Sequence, residues 1–440
     1  MRKSLIYFAF ILNLAIIFGF WWSRSGGLLL SGEAVGTLLS LGRISGLLMV
    51  FFVMLQVLLI GRTSWIERLF GFDKLARVHR WSGYSLSIFL ISHPLLTVWS
   101  YALESQVSYW NKLTNLFLYG EDIQGAIIAF MLFVIVIISS ITIARRKLKY
   151  ESWYFVHLSV YVAILAGFGH QLELGGDFQG QTIFSAYWVA LYLFVFTNLL
   201  FFRFLRPAYN FWRYRFRVLK IVPETADTYS IYLTGQDLDK FNFLPGQFAL
   251  FRFLTKGHFL QEHPFSFSDV SGKKLLRITI KKLGDYTADL SAITPGTFVM
   301  VDGPHGIFTP QRATGNKILV IAGGVGITPI RSLIDSFSVE KKDVVLLYGN
   351  KTEADIVFNR ELNEYASAEN LKVYNVLSAD PNWLGEKGFI DEEKIKKLVP
   401  DLPARDIYLC GPGPMMRAVI GALRRLGVSR SKIYFEEFAL

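Results

Sequence analysis

The sequence predicts a six-helix transmembrane bundle followed by a soluble module, in which an antiparallel β-barrel precedes an open α/β sheet. Three observations predict it. Up to Arg206 the chain is dominated by long apolar runs rich in Phe, Leu and Ile, and charges return beyond that point. Two of those runs carry histidines in matched pairs. After Arg206-Pro207 the hydrophobic period drops to two, then strand patterns alternate with helical ones.

Composition bounds the alternatives. The 440 residues are 52% hydrophobic and 15% aromatic, too apolar for a soluble protein of this size and not apolar enough to be membrane throughout. The formal charge of +11 is not a nucleic-acid signal, because many Lys and Arg flank apolar runs, where they set orientation. No nucleic-acid partner is expected. A single cysteine, Cys410, excludes internal disulfides and Cys-based zinc spacing. The opening run MRKSLIYFAFILNLAIIFGFWW is long and lacks a small-residue cleavage site, so it is expected to be an anchor rather than a cleaved leader.

Six spans are expected: Leu5–Trp22, Thr37–Ile60, Val78–Tyr101, Ile123–Ala144, Trp153–Gln171 and Ile183–Phe204. Each approaches the roughly 20 residues that a bilayer requires. The second and fourth connections are basic (Arg62, Arg68, Lys74, Arg77; Arg145, Arg146, Lys147, Lys149), and the others mainly acidic. Positive-inside logic places both termini and the soluble module in the cytoplasm.

The third span holds His79 and His93, fourteen residues apart; the fifth holds His157 and His170, thirteen apart. An imidazole in hydrocarbon is costly unless paired or bound. The third and fifth spans run in the same direction, so the pairs match in depth: His79 with His157 near the inner leaflet, His93 with His170 near the outer. That arrangement suits two b-type haems, each held by two histidines and stacked across the bilayer. Thirteen residues leave His170 about 140° from the face of His157 on an ideal helix. Gly167 and Gly169 offer local distortion; different haem azimuths are the alternative. Pro94, directly after His93, is expected to kink its helix. Arg43, near the outer end of the second span, either snorkels to the interface, partners a haem propionate, or places positive charge near the acceptor. Arg80 is a candidate partner for an inner-haem propionate.

The domains expected are 1–206 in the membrane, 207–312 as the barrel and 313–440 as the α/β domain. YRFRVLKIV, TYSIYLTG, GQFALFRFL, LLRITIKKL and TFVMVDG read as barrel strands, about six in all. KILVIAG, DVVLLYG, LKVYNVLS, DIYLCG and KIYFEEF read as the strands of the sheet. In AGGVGITPI, after the first of these, Gly323, Gly324 and Gly326 let the backbone approach a pyrophosphate at a helix N-terminus. A tight strand–helix turn is the bland alternative.

The ordered motifs LPGQF, HPFSFSD, KKLGDYT, DGPHGIF, AGGVGITPI, CGPGPMM and EEFAL together resemble the ferredoxin–NADP reductase superfamily. Joined to six spans with paired histidines, the chain is similar to the ferric reductase and NADPH oxidase family, in its minimal bacterial form. The resemblance implies FAD against His263, Pro264, Phe265 and Ser266, with Phe267 and Ser268 extending that wall. It implies the FAD pyrophosphate at Gly284 and Thr287, and nucleotide phosphates at Gly323, Gly324, Gly326 and Thr328. It places Cys410, Gly411 and Pro412 beside the nicotinamide, and Phe438 as an aromatic that stacks on the flavin, although Ala439 and Leu440 follow it. It also implies an electron path from cytoplasmic NAD(P)H through FAD and two haems to an outer acceptor. Three acceptors are expected in turn: O₂, giving superoxide; a ferric chelate; or an extracytoplasmic protein partner. Some oxidases of this family have another histidine where Thr97 stands. Asn350 and Lys351 favour NADPH over NADH.

Overall fold

The computed structural model describes residues 3–120, 123–141, 147–148, 150–256, 258–259, 261–288, 292–367 and 371–437. The chain divides into two compact units, Met1–Thr63 with Leu75–Leu199, and Ser64–Lys74 with Leu200–Leu440.

The first unit is helical. Its long apolar helices are α1 (Lys3–Leu30), α2 (Ala34–Ile60), α4 (Phe72–Glu104, whose first turn belongs to the second unit), α7 (Tyr150–Leu174) and α8 (Thr182–Leu199). Among the described residues, five helices are long and apolar enough to cross a membrane. The count is six if the amphipathic α5 (Tyr109–Tyr119) and the 17-residue α6 (Gln124–Ser140) form one broken span. Helix α2 lies innermost, with Leu47, Val50, Val53 and Met54 buried, and Phe184 and Trp188 of α8 pack in the same core. Small residues set the helix spacing: a Cβ on Gly125 of α6 would lie 2.4 Å from the Ala166 carbonyl oxygen of α7.

Between α2 and α4, the short helix α3 (Ser64–Phe70) clusters with the second unit. After α8, a π-helical turn at Leu200–Leu205 leads into α9 (Arg206–Tyr214). Six antiparallel strands follow, in two sheets of order β1-β2-β5 and β4-β3-β6. They are β1 (Arg217–Pro223), β2 (Thr228–Thr234), β3 (Phe248–Phe253), β4 (His263–Ser266), β5 (Leu276–Lys281) and β6 (Val299–His305). Bridges Arg217–Phe298 and Phe267–Ile278 join the sheets at both edges around a core of Phe216, Phe251, Phe253 and Phe267.

The α/β domain is a six-stranded parallel sheet of order β10-β9-β8-β7-β11-β12. Its strands are β7 (Lys317–Gly323), β8 (Asp343–Asn350), β9 (Leu371–Leu377), β10 (Glu386–Lys387), β11 (Asp406–Gly411) and β12 (Ile433–Glu437). The two-residue β10 is too short to leave a sequence pattern. Chain order reverses at β7/β11, which puts the loops after those strands side by side at a topological switch point.

Candidate functional site

In the membrane unit, the rings of His79 and His157 lie with centroids 6.3 Å apart and planes tilted by 58°. Two metal–nitrogen bonds of about 2 Å each, plus the inner half of each ring, sum to about 6 Å. The residues therefore fit an iron held between two imidazoles. Around them, Gln56 donates to the His79 carbonyl at 2.9 Å and to Ser82 at 3.2 Å, while Ser140 lies 3.4 Å from His157 Nδ1.

The outer pair, His93 and His170, lie within electrostatic range of one another. His93 Nδ1 is 2.9 Å from the Gly42 carbonyl oxygen. That oxygen can only accept, so Nδ1 carries the proton and Nε2 keeps its lone pair, the tautomer a metal requires. Two glycines of α2 create this contact. A Cβ on Gly46 would sit 2.8 Å from His93 Nδ1, and one on Gly42 would sit 2.6 Å from Thr97 Cγ2. Thr97 is thus a helix-packing position against Gly42. Next to His170, Gln171 accepts from Trp188 at 2.9 Å and from Tyr192 at 3.0 Å, which fixes the end of α7.

α7 is continuous through Gly167 and Gly169, and α4 is continuous through Pro94.

Arg43 donates to Ser25 at 3.2 Å, and Ser25 donates to Asp177 at 3.0 Å. Burial pushes the Asp177 carboxyl up, and Arg43 and Ser25 partly offset this. The guanidinium is therefore tied into a buried cluster rather than snorkelling freely. Arg80 is exposed one residue after His79.

In the barrel, His263 stacks on Tyr286 with centroids 3.7 Å apart. Ser266 is buried, with no hydrogen-bond partner for Oγ among the described residues; this is the kind of group a bound flavin satisfies. Phe267 and Ser268 correct the expectation. Strand alternation turns the Phe267 ring into the core, where it stacks on Phe243 at 4.0 Å. Ser268 is fully buried against Thr279 at 2.9 Å. Both back the wall rather than extend it. Thr287 is a second correction: its one hydroxyl proton goes to the Leu283 carbonyl, and its oxygen accepts from the Leu283 N–H. Gly284, with φ +74°, opens a five-residue helix there, α10 (Gly284–Ala288), leaving backbone rather than hydroxyl donors for a phosphate.

At the switch point, the Gly323–Gly326 turn leads into α11 (Ile327–Val339). A Cβ on Gly326 would stand 2.4 Å from the Cys410 carbonyl oxygen, and one on Gly323 would stand 2.3 Å from Met415 Sδ. The glycines thus let this loop pack against the Cys410–Gly411–Pro412 loop. Thr328 is buried and caps locally onto Val325. The Cys410 thiol is fully buried, and burial above all pushes it well above its ordinary range. Phe438 lies outside the described residues.

Sequence reasoning missed two carboxyls here. Glu436 pairs in register with Cys410 across β11 and β12. Its Oε2 is buried without a partner, and burial, with Asp73 and Glu67 nearby, pushes its carboxyl well above the usual range. Its only signal was EEF at a strand end. Glu67 of α3 is buried and accepts from the Gly306 N–H at 2.8 Å, a contact 239 residues apart with no local signal.

Three family models match the chain: the ferric reductase like transmembrane component over residues 45–168, an FAD-binding domain over 213–307 and an oxidoreductase NAD-binding domain over 320–420. The chain joins a ferric-reductase-like transmembrane component to an FAD- and NAD-binding module. This ferric-reductase-like chain is 28% identical to the glycine betaine monooxygenase reductase subunit of Chromohalobacter salexigens, over 51% of its length and 64% of the relative's. It is 30% identical to a flavohemoprotein of Oceanobacillus iheyensis, over 51% and 58%. It thus spans less than two thirds of the length of these curated relatives. The flavohem-like FAD/NAD-binding domain of nitric oxide dioxygenase from Vibrio cholerae matches with a TM-score of 0.47 at 22% identity, covering 51% of this chain and 98% of that one.

Proposed function

We propose that the chain is a transmembrane NAD(P)H oxidase, moving electrons from cytoplasmic NAD(P)H through FAD and two haems to O₂ on the outer face. The observation that carries this reading is the 6.3 Å separation of the His79 and His157 ring centroids. Bound flavin supplies conversion of a two-electron hydride into single electrons, and bound haems supply one-electron relays. The chain's own residues do the rest. Gly323, Gly324 and Gly326 bring backbone to the nucleotide phosphates, and Ser266 offers an unsatisfied hydroxyl to the flavin. Glu436, whose carboxyl burial pushes well above its usual range, pairs in register with Cys410. Gly42 fixes the His93 tautomer. An inside-negative potential favours outward electron flow by about 2.3 kcal/mol per 100 mV.

Held by two histidines each, the haem irons would have no open position, and the acceptor would be reduced without binding iron. The Arg43 charge is offset by Asp177, which favours a neutral acceptor over an anionic chelate. Ferric-chelate reduction is the second reading, supported by the matched transmembrane model. Lys351, exposed at the end of β8, supports NADPH over NADH.

Purified protein with NADPH in air tests the reading. Cytochrome c reduction abolished by superoxide dismutase is expected. Fast anaerobic ferric-chelate reduction with slow oxygen uptake would replace it with the second reading.

A further inference from the structure

The flavin-side barrel and the α/β domain meet through charges that cross over. From the barrel come Arg277 of β5 and Asp269, the last residue of HPFSFSD. From the α/β domain come Glu361 of α12 (Asn359–Ala366) and Arg331 of α11. Arg277 grips Glu361 with both terminal nitrogens, at 2.6 and 3.0 Å. Arg331 Nε donates to the same carboxylate at 2.8 Å, and its Nη1 lies 3.9 Å from Asp269. Each domain thus offers one cation and one anion to the other.

The attachments on either side of this cluster are informative. Arg277 also donates to the Ser268 carbonyl, at 2.9 Å from Nη2 and 3.3 Å from Nε, so it holds the end of the flavin-wall motif. Arg331 lies in the first turns of the helix that follows the glycine turn, and its neighbour Ser332 accepts from the Gly246 N–H of the barrel at 2.9 Å. The carboxylate therefore ties the segment that would hold flavin to the helix that would hold nucleotide phosphates. Both guanidiniums are nearly inaccessible to solvent. Burial alone would raise the Glu361 carboxyl, but hydrogen bonds and charge from Arg277 and Arg331 outweigh it and hold the carboxyl below its ordinary range. Phe358, under the Arg277 guanidinium at 4.8 Å, enters α12 with φ 60°, a left-handed conformation that aromatic residues rarely adopt. A stable alternative packing of this corner is not needed for the fold of either domain, since each has its own core.

We infer that Glu361 is a positioning residue for hydride transfer: through Arg277 and Arg331 it sets the register between the two domains, and hence the approach of nicotinamide to flavin. The step moves a hydride, two electrons and one proton, from nicotinamide C4 to flavin N5, leaving oxidised nucleotide and reduced flavin. A misplacement of about 1 Å costs about 100-fold in such a step. The inference rests on the dehydrogenase half of the proposed function and is independent of the outer acceptor.

The test uses the full chain in nanodiscs under anaerobic conditions, reading flavin bleaching by NADPH in a stopped-flow instrument. Glu361→Gln, which keeps the shape and removes the charge, is expected to lower the limiting bleaching rate about 10- to 100-fold. The nucleotide concentration at half-saturation should stay within about threefold. Glu361→Asp should fall between wild type and Gln. A second readout needs neither cofactor nor turnover. With spin labels at exposed Lys274→Cys and Lys372→Cys, and Cys410 buried, the distance distribution in flavin-free protein should broaden in Glu361→Gln. Bleaching within about twofold of wild type and an unchanged distance distribution would overturn the inference. So would a matched loss of flavin in both Glu361 variants, which would make the cluster a plain fold element. Wild-type protein that does not bleach at all would sink the dehydrogenase reading itself, a separate outcome.

Discussion

The buried arginine clusters of one unit and the helix histidines of the other are satisfied differently. In the flavoprotein unit, Arg405 is surrounded by Asp401, Asp343 and the Ile318 carbonyl, and Arg277 by Glu361 and Ser268. Every strong charge in these clusters finds its partner within the chain. In the membrane unit, the Nδ1 atoms of the half-buried His79 and His170 are inaccessible and lack a partner among the described residues, although the surrounding medium is far less forgiving. A satisfied cluster marks scaffold. An imidazole within an apolar helix is costly unless it is paired or bound, and so marks a place where the chain is built around something else.

The sharpest way to break this contrast is to remove the outer imidazoles. Losing outer support to a ligand already costs about 10- to 100-fold in metal affinity, so losing the ligand itself costs more. His93→Leu and His170→Leu should each halve the haem-to-flavin ratio and lower transmembrane electron flow more than about 100-fold, while anaerobic flavin bleaching by NADPH persists. Full electron flow in either variant would remove the basis for reading the histidines as ligands.

A smaller change probes the same site through its neighbour. In Gly46→Ala the new methyl would lie 2.8 Å from His93 Nδ1, and overpacking of that kind costs about 1–3 kcal/mol. The ring is expected to lose its bond to the Gly42 carbonyl. Outer-haem content, or its midpoint potential, should then shift while the inner haem is unchanged. Equal shifts in both haems would argue against separate inner and outer pairs.

Asp177→Asn sharpens the comparison at the outer face. It removes the carboxyl charge beside Arg43 and leaves the positive charge uncompensated. The KM for an anionic ferric chelate is expected to fall by about threefold, a typical modest electrostatic gain, with the oxygen rate little altered. The salt dependence of chelate reduction should steepen in parallel; a KM that does not move would separate Arg43 from acceptor choice.

The contrast also explains what was legible in the sequence. The four histidines stood out because hydrocarbon leaves no local polar alternative, and β7, with the range Lys317–Gly323, stood out because a buried parallel strand reads as one apolar run. Phe267 and Ser268 were misplaced because a motif gives residue order but not the face each side chain takes. Thr287 was misassigned because its hydroxyl satisfies Leu283 locally, a competition that sequence does not show. Glu67, Asp177 and Glu361 carried no signal at all, since each acquires its role from a partner distant in the chain.

The smallest effect belongs to the satisfied side. Asp401 is held down to about 2, first by the hydrogen bond from Arg405 and, against some burial, by Lys317. A carboxyl depressed in the folded state stabilises above its unfolded value of about 4 and loses that contribution as pH falls towards 2. Asp401 is 32% exposed, so solvent screening limits the contribution to about 1 kcal/mol or less. Asp401→Asn should therefore lower the unfolding midpoint of the flavoprotein unit slightly at pH 6, and the gap from wild type should narrow below pH 4 and close only near pH 2. A gap that widens as the pH falls would reverse the sign of the pairing, and Arg405 would then draw its stability from Asp343 and the Ile318 carbonyl alone.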